Sequence, residues 1–271
     1  MTSVFCEGQL RGKVAVITGG GSGINLAIAE RFAEYGAKAA LIGRTQEKLD
    51  TAAAGIEVRG GVAAGFAADV RNYEALAAAI TAAKEKFGGI DIVVCGAAGN
   101  FPAPALGMSA NGFKSVVDID LLGTFNTCRA AFEHLNRPGA SIVNISAPQA
   151  FIPMAMQAHV CAAKAGVDML TKTLALEWGP EGVRVNSIAP GPVNGTEGVR
   201  RLVPTDRARD YVTKMIPLRR FAEKSDIADL ALFLCTSAAG YITGAVMVCD
   251  GGQSLTPIRF DLLAGESTPA Q

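Results

Sequence analysis

Lys13-Val14-Ala15-Val16-Ile17-Thr18-Gly19-Gly20-Gly21-Ser22-Gly23-Ile24-Asn25 decides the fold. An apolar, largely β-branched run ends in a glycine-rich turn, and the turn opens a helix with apolar periodicity. Backbone N–H groups at such a helix start favour an anion, and glycine lets a pyrophosphate approach the main chain closely. A glycine-rich turn can also simply join a strand to a helix. The βαβ unit around this one favours a dinucleotide held by Gly19, Gly21, Ser22, Gly23 and Ile24.

Working outward, the spacing predicts strands over Lys13–Thr18, Ala37–Gly43, Val62–Ala67, Asp91–Cys95, Ser141–Ser146 and Arg184–Ala189, alternating with Ala-rich helical stretches. Alternation of this kind means a mostly parallel sheet. Strands as continuously apolar as Val14-Ala15-Val16-Ile17 fit a sheet covered by helices on both faces, the doubly wound α/β arrangement of a Rossmann-type domain. A segment at 239–244 followed by Val246-Met247-Val248 reads as a last strand closing the sheet edge. No repeat or linker divides the chain, so residues 1–271 are expected to form a single domain. Two irregular blocks remain: a Gly-, Pro- and Arg-rich segment at about 191–220, read as a lid, and a tail at about 257–271.

Composition narrows the function. The 271 residues carry 25 basic and 25 acidic side chains, dispersed, which leaves no electrostatic footprint for nucleic acid and no basic amphipathic helix for a membrane surface. The six cysteines form no C-x-x-C pair and there are only two histidines, so no metal site is expected. No signal pattern, spanning apolar run or peroxisomal C-terminal address is read, and the expectation is a cytoplasmic protein acting on small molecules.

Ile42-Gly43-Arg44-Thr45 ends the second strand, where an acid would bind the ribose hydroxyls of NAD and an arginine would pair with the 2′-phosphate of NADP. Arg44 therefore favours NADPH. Lys48, one helical turn on, either adds charge there or is solvated. The T-G-x-x-x-G-I-x spacing from Thr18 is similar to that of short-chain dehydrogenases/reductases, except that Asn25 replaces their usual glycine. The resemblance runs from about Gly12 to Gly252. It implies that Asp69 and Val70 contact adenine, that Ala97 in Cys95-Gly96-Ala97-Ala98-Gly99 leaves room for the adenine ribose, and that Pro190, Gly191, Val193 and Thr196 also border the cofactor.

Most members of that family use Asn, Ser, Tyr and Lys together, the lysine depressing the tyrosine pKa so that the phenol protonates an alkoxide. In His159-Val160-Cys161-Ala162-Ala163-Lys164 the lysine is kept, but Val160 stands one turn before it where tyrosine is expected. Ala147 takes the serine position, and Asp120-Leu121-Leu122-Gly123 puts Asp120 in place of asparagine. Either the chain has lost its chemistry and only binds nucleotide, or its reaction needs no phenol.

Ala97-Ala98-Gly99-Asn100-Phe101 and Pro190-Gly191-Pro192-Val193-Asn194-Gly195-Thr196-Glu197-Gly198 resemble the peroxisomal type of 2,4-dienoyl-CoA reductase, which likewise lacks that tyrosine and serine. Hydride added to the far carbon of a dienoyl thioester gives a dienolate quenched by a proton at carbon, so no alkoxide has to be protonated. What the site must supply is alignment, hydrogen bonds to the enolate oxygen and a proton source. The resemblance assigns Lys164 to the nicotinamide ribose, Asn100 to the thioester oxygen and Phe101 to the acyl slot. Asp120, if near the ammonium, would position a water as proton donor; the alternative is an acid that pairs with lysine for structure alone. Arg71, Ser109, Asn111 and Arg201 match substrate-contacting positions for acyl-CoA. His159 lies about 100° around the helix from Val160 and reads as a satisfied core or interface histidine. The family further implies a homotetramer. A silent nucleotide-binding protein and a reductase of another conjugated acyl thioester are the competing functions.

Overall fold

The computed structural model describes residues 5–255, so the tail expected at about 257–271 lies outside the described residues. Its elements run β1 (Val14–Thr18), α1 (Gly23–Glu34), β2 (Lys38–Gly43), α2 (Gln46–Glu57), β3 (Val62–Ala67), α3 (Tyr73–Phe87) and β4 (Ile92–Cys95). They continue with α4 (Ala110–Val117), α5 (Gly123–Phe132), β5 (Ser141–Ile145), α6 (Ala158–Trp178) and β6 (Arg184–Pro190). The last are α7 (Glu197–Leu202), α8 (Asp206–Met215), α9 (Lys224–Leu234) and β7 (Val246–Cys249).

All seven strands pair in parallel in the order β3-β2-β1-β4-β5-β6-β7. The expected strands match to within a residue at each end, because most are short, largely apolar runs between turn signals. Alternate side chains on each strand enter different cores. Ala15, Ile17 and Leu41 pack with Ile28 and Phe32 of α1, Leu49 and Ile56 of α2 and Ile227 and Leu232 of α9. Val16, Ala40 and Val93 face the other way, against Leu76 and Ile80 of α3, Cys128 of α5 and Leu174 of α6. Both faces are therefore covered, which is why the strands show no polar alternation. Burying a side chain such as Phe32 stabilises the fold by roughly 1.5–3 kcal/mol.

The segment read as irregular, about 191–220, contains two helices. Thr196 caps α7 by accepting from Val199 N, and Thr205 caps α8 by accepting from Ala208 N. Each has an acid in its first turn, Glu197 or Asp206, and a base in its last, Arg200 and Arg201 or Lys214, which suits the helix dipole. Neither helix buries a residue, so the caps, rather than a run of core residues, mark them in the sequence.

The order of the strands reverses between β1 and β4. The loops leaving those two strands diverge, and a crevice opens at their carboxyl ends.

Candidate active site

The turn after β1 is built by close packing. Gly19 and Gly23 hold φ of +71° and +64°, Ser22 is the extended N-cap of α1, and the first turn of that helix carries no acid. Unpaired N–H groups thus face the crevice without a competing carboxylate, an arrangement that fits a pyrophosphate. Asn25, where glycine is usual, does not block the turn. Its Nδ2 donates to the Gly96 carbonyl at 2.8 Å and ties the phosphate turn to the loop after β4. The Asn25 carboxamide occupies the space that a methyl on Gly96 would need, so the two positions are matched. Thr18 adds a second tie: its Oγ1 donates to the Val94 carbonyl at 3.3 Å and accepts from Gly96 N at 3.1 Å.

The other expected cofactor residues stand at the carboxyl ends of the strands and in the segments that follow them. Lys48 lies beside Gly21 at the start of α2, and Arg44 is exposed at the exit of β2. Asp69 follows β3 and is gripped by Arg71, whose Nη2 donates to Asp69 Oδ2 at 2.6 Å. That pairing, reinforced by the backbone N–H of Arg71 and the charge of Arg44, holds the Asp69 carboxyl below its ordinary range. Val70 is buried, its carbonyl accepting from Asn126 Nδ2 at 2.9 Å. Gly191 N donates to the Cys249 carbonyl at 3.0 Å, and Thr196 Oγ1 donates to the Val193 carbonyl at 2.8 Å while capping α7. Pro190 closes β6.

Asp120 and Lys164 meet. The helix from Ala110 to Phe132 widens at Asp118–Leu122 into a π-helical turn, a distortion that re-aims side chains and concentrates at functional sites. Asp120 sits in that turn, 1% exposed, and its Oδ1 accepts from Gly99 N at 2.7 Å. Lys164 Nζ lies 3.0 Å from Asp120 Oδ2 and donates to the Ile145 carbonyl at 3.0 Å. The ion-pair contact is not aligned as a hydrogen bond, so Oδ2 keeps its acceptor capacity. Gly123, three residues on, lets α5 approach Val70, since a Cβ there would lie 2.5 Å from Val70 Cγ2. Both ends of the D-x-x-G element therefore have a physical reason: the acid holds the β4 loop and the glycine admits the β3 loop.

Val160 fills the tyrosine position with an apolar contact. It is buried with Val116 and Ala163, and Phe101, Val117 and Leu121 pack against this group. The four tyrosines lie elsewhere: Tyr35 is in the core, Tyr73 packs at the start of α3, and Tyr211 and Tyr241 are exposed. Asn100 and Phe101 border the same site, with Asn100 Oδ1 buried and unpartnered. Arg201 reaches this loop from α7: its Nη1 donates to the Asn100 carbonyl at 2.6 Å. Ser109 and Asn111 stand at the start of α4, Ser109 Oγ accepting from Gly112 N as an N-cap and Asn111 exposed.

One expectation needs correction. His159 is fully buried, as read, but it is not satisfied: neither ring nitrogen has a hydrogen-bond partner among the described residues, and its ring meets Phe101 edge-on at 4.5 Å. Core packing against Phe101, rather than hydrogen bonding, fixes it. Sequence reasoning also passed over Gln157, which is buried and whose Nε2 donates to the Phe101 carbonyl at 3.3 Å, and over Ser146, whose Oγ is buried without a partner. Nothing in their local pattern marked either. Among the described residues no group of His, Cys, Asp or Glu is placed to hold a metal, and no helix is long and apolar enough to cross a membrane.

Comparison with known proteins places this geometry. Residues 19–254 match the profile of a family described as enoyl-(acyl carrier protein) reductase. The chain is 44% identical to a peroxisomal 2,4-dienoyl-CoA reductase, (3E)-enoyl-CoA-producing, of Arabidopsis thaliana, over 96% of this chain and 90% of the relative. It is 45% identical to the Pongo abelii protein of the same description, over 93% and 87%. A gluconate 5-dehydrogenase from Burkholderia cenocepacia, solved with NADP and tartrate, superposes with a TM-score of 0.87 at 31% identity, covering 92% of this chain and 98% of that one.

Proposed function

The chain belongs to the short-chain dehydrogenase/reductase family of nicotinamide-dependent oxidoreductases, and on that premise we propose that it reduces 2,4-dienoyl-CoA to 3-enoyl-CoA with NADPH. The observation that carries the proposal is the buried Asp120–Lys164 pair one helical turn from an apolar Val160. A site that protonated an alkoxide would need a phenol there. A site that protonates a dienolate at carbon needs a polarised oxygen and a delivered proton instead.

The residues divide that work. Bound NADPH supplies the hydride. Arg44 pairs with its 2′-phosphate, the β1 turn holds its pyrophosphate, and Lys164 binds the nicotinamide ribose. Asn100 donates to the thioester oxygen, where the negative charge of the dienolate gathers, and Phe101 shapes the acyl slot. Asp120, with Oδ2 able to accept, orients a water that gives the proton to carbon, and the hydroxide left behind takes a proton from solvent. Arg71, Ser109, Asn111 and Arg201 meet the CoA moiety, and the charged α7–α8 segment closes over it as a lid. The reaction would serve as an auxiliary step of fatty-acid β-oxidation. The relatives named 2,4-dienoyl-CoA reductase support the substrate class. A homotetramer and a cytoplasmic location belong to the same proposal; exposed Leu122, Phe125, Met169 and Leu176 along α5 and α6 supply the apolar surface that assembly would bury.

The test is loss of NADPH absorbance on mixing the purified protein with a panel of acyl-CoA esters. Consumption with 2,4-dienoyl-CoA, slowed in Asp120→Ala and Lys164→Ala, is the expected result. Full activity in Asp120→Ala removes the water relay. Consumption only with another conjugated acyl thioester changes the substrate, and NADPH binding with no turnover on any ester makes the chain a silent binder.

A further inference from the structure

The Asn100-Phe101 segment is gripped through its backbone from two sides. On the buried side, Gln157 Nε2 donates to the carbonyls of Phe101 at 3.3 Å and Met156 at 3.2 Å, and Ala103 N donates to the Met156 carbonyl at 2.9 Å. Met156 holds φ of +64°, a conformation that a side-chain-bearing residue keeps only where its surroundings impose it. On the open side, Arg201 donates from Nη1 to the Asn100 carbonyl at 2.6 Å and from Nε to Glu197 Oε1 at 2.7 Å. Gln157 is 1% exposed, whereas the Arg201 and Glu197 side chains are 50% and 48% exposed. One grip lies inside the fold and the other at its surface, on α7.

The Asn100 carboxamide has no anchor of its own that would make it indifferent to this. Its Oδ1 is buried and accepts no hydrogen bond among the described residues, so the placement of the backbone decides where the side chain points. A planar guanidinium can hold Glu197 and a carbonyl at once through separate N–H groups, which an ammonium on a flexible stem cannot reproduce. We infer that Arg201 is a positioning residue that couples closure of the α7 segment to the placement of the Asn100 carboxamide, beyond any contact it makes with CoA. The inference rests on the reading of Asn100 as donor to the thioester oxygen.

The experiment separates the two roles of Arg201 with a truncated substrate, the dienoyl ester of N-acetylcysteamine, which keeps the conjugated thioester and lacks the CoA phosphates. Arg201→Ala and Arg201→Lys should both lower kcat on that ester by about tenfold, because both lose the carbonyl grip. KM for the CoA ester should rise mainly in Arg201→Ala, since lysine retains the charge. Amide hydrogen exchange over residues 100–108 of the ligand-free protein should be faster in both variants. Unchanged kcat on the truncated ester, or unchanged exchange, overturns the inference and leaves Arg201 as a CoA contact alone. If the wild-type protein turns over neither thioester, the dienoyl-CoA reading fails, and the exchange measurement still decides whether Arg201 holds the loop.

Discussion

The two halves of the crevice are made differently. The half expected to hold the cofactor, from the turn after β1 to Asp69, is shaped by main-chain geometry: Gly19 lets the β1 turn approach the Ala97 backbone, Gly23 supplies a positive φ, and Asn25 and Thr18 stitch the β1 turn to the β4 loop. The half around Asp120 and Lys164 is assembled from polar side chains with buried atoms. Asp120 comes from the π-helical turn, Asn100 from the loop after β4, and Gln157 and Lys164 from the cap and body of α6, and three of their side-chain oxygens have no hydrogen-bond partner among the described residues. A binding surface for an invariant group such as a pyrophosphate can be built from backbone. A site that handles developing charge and a proton needs buried groups whose stabilisation depends on each other.

The largest test of this contrast is Lys164→Ala, which strands the Asp120 carboxylate in a site 1% exposed. Breaking one side of a buried pair costs about 3–5 kcal/mol of stability, readable by urea denaturation. Adding Asp120→Ala should recover most of that stability while activity stays lost. If Lys164→Ala unfolds at the wild-type denaturant concentration, the pair is not an interdependent unit.

In the cofactor half, effects should be local and smaller. Arg44→Asp is expected to raise KM for NADPH more than about tenfold, the scale of a lost charged hydrogen bond, while NADH is unaffected or improved. Equal loss with both cofactors would place Arg44 away from the 2′-phosphate. Gly96→Ala should weaken NADPH binding about tenfold by overpacking against Asn25. Asn25→Gly in the same chain should restore affinity; failure of that rescue would sever the proposed match between the two positions.

The smallest effect concerns Asp69 and Arg71. Because Arg71 lowers the Asp69 pKa below its ordinary 3.8, the pair stabilises the fold above that pH and loses this as pH falls through the lowered folded value. The pair is partly exposed, so the contribution is at most about 1 kcal/mol. Melting curves taken downward from neutral pH should show wild type losing slightly more stability below pH 3.8 than Arg71→Gln; identical acid profiles would remove the pair as a contributor.

The fold was legible because its signals are local. Seven apolar runs and a glycine-rich turn state a parallel sheet and a phosphate site within short windows, and the structure moved strand ends by a residue. The helices α7 and α8 escaped that reading because they bury nothing, leaving only Thr196 and Thr205 as caps to find. At the candidate active site the residue types were legible in order: Val160, Ala147 and Asp120 around a kept Lys164. Their mutual geometry was not.

The sequence by itself determined the strand and helix order, the phosphate turn and the absence of tyrosine from position 160, since each depends on neighbours within a few residues. Only the tertiary structure decided that Asp120 holds both Gly99 and Lys164, that Gln157 and Arg201 grip one loop from opposite sides, and that His159 is buried without a hydrogen-bond partner among the described residues. Those contacts join residues far apart in the chain. Whether a buried polar atom finds a partner is set by where the packed sheet, the π-helical turn and the loops bring them, which no local pattern specifies.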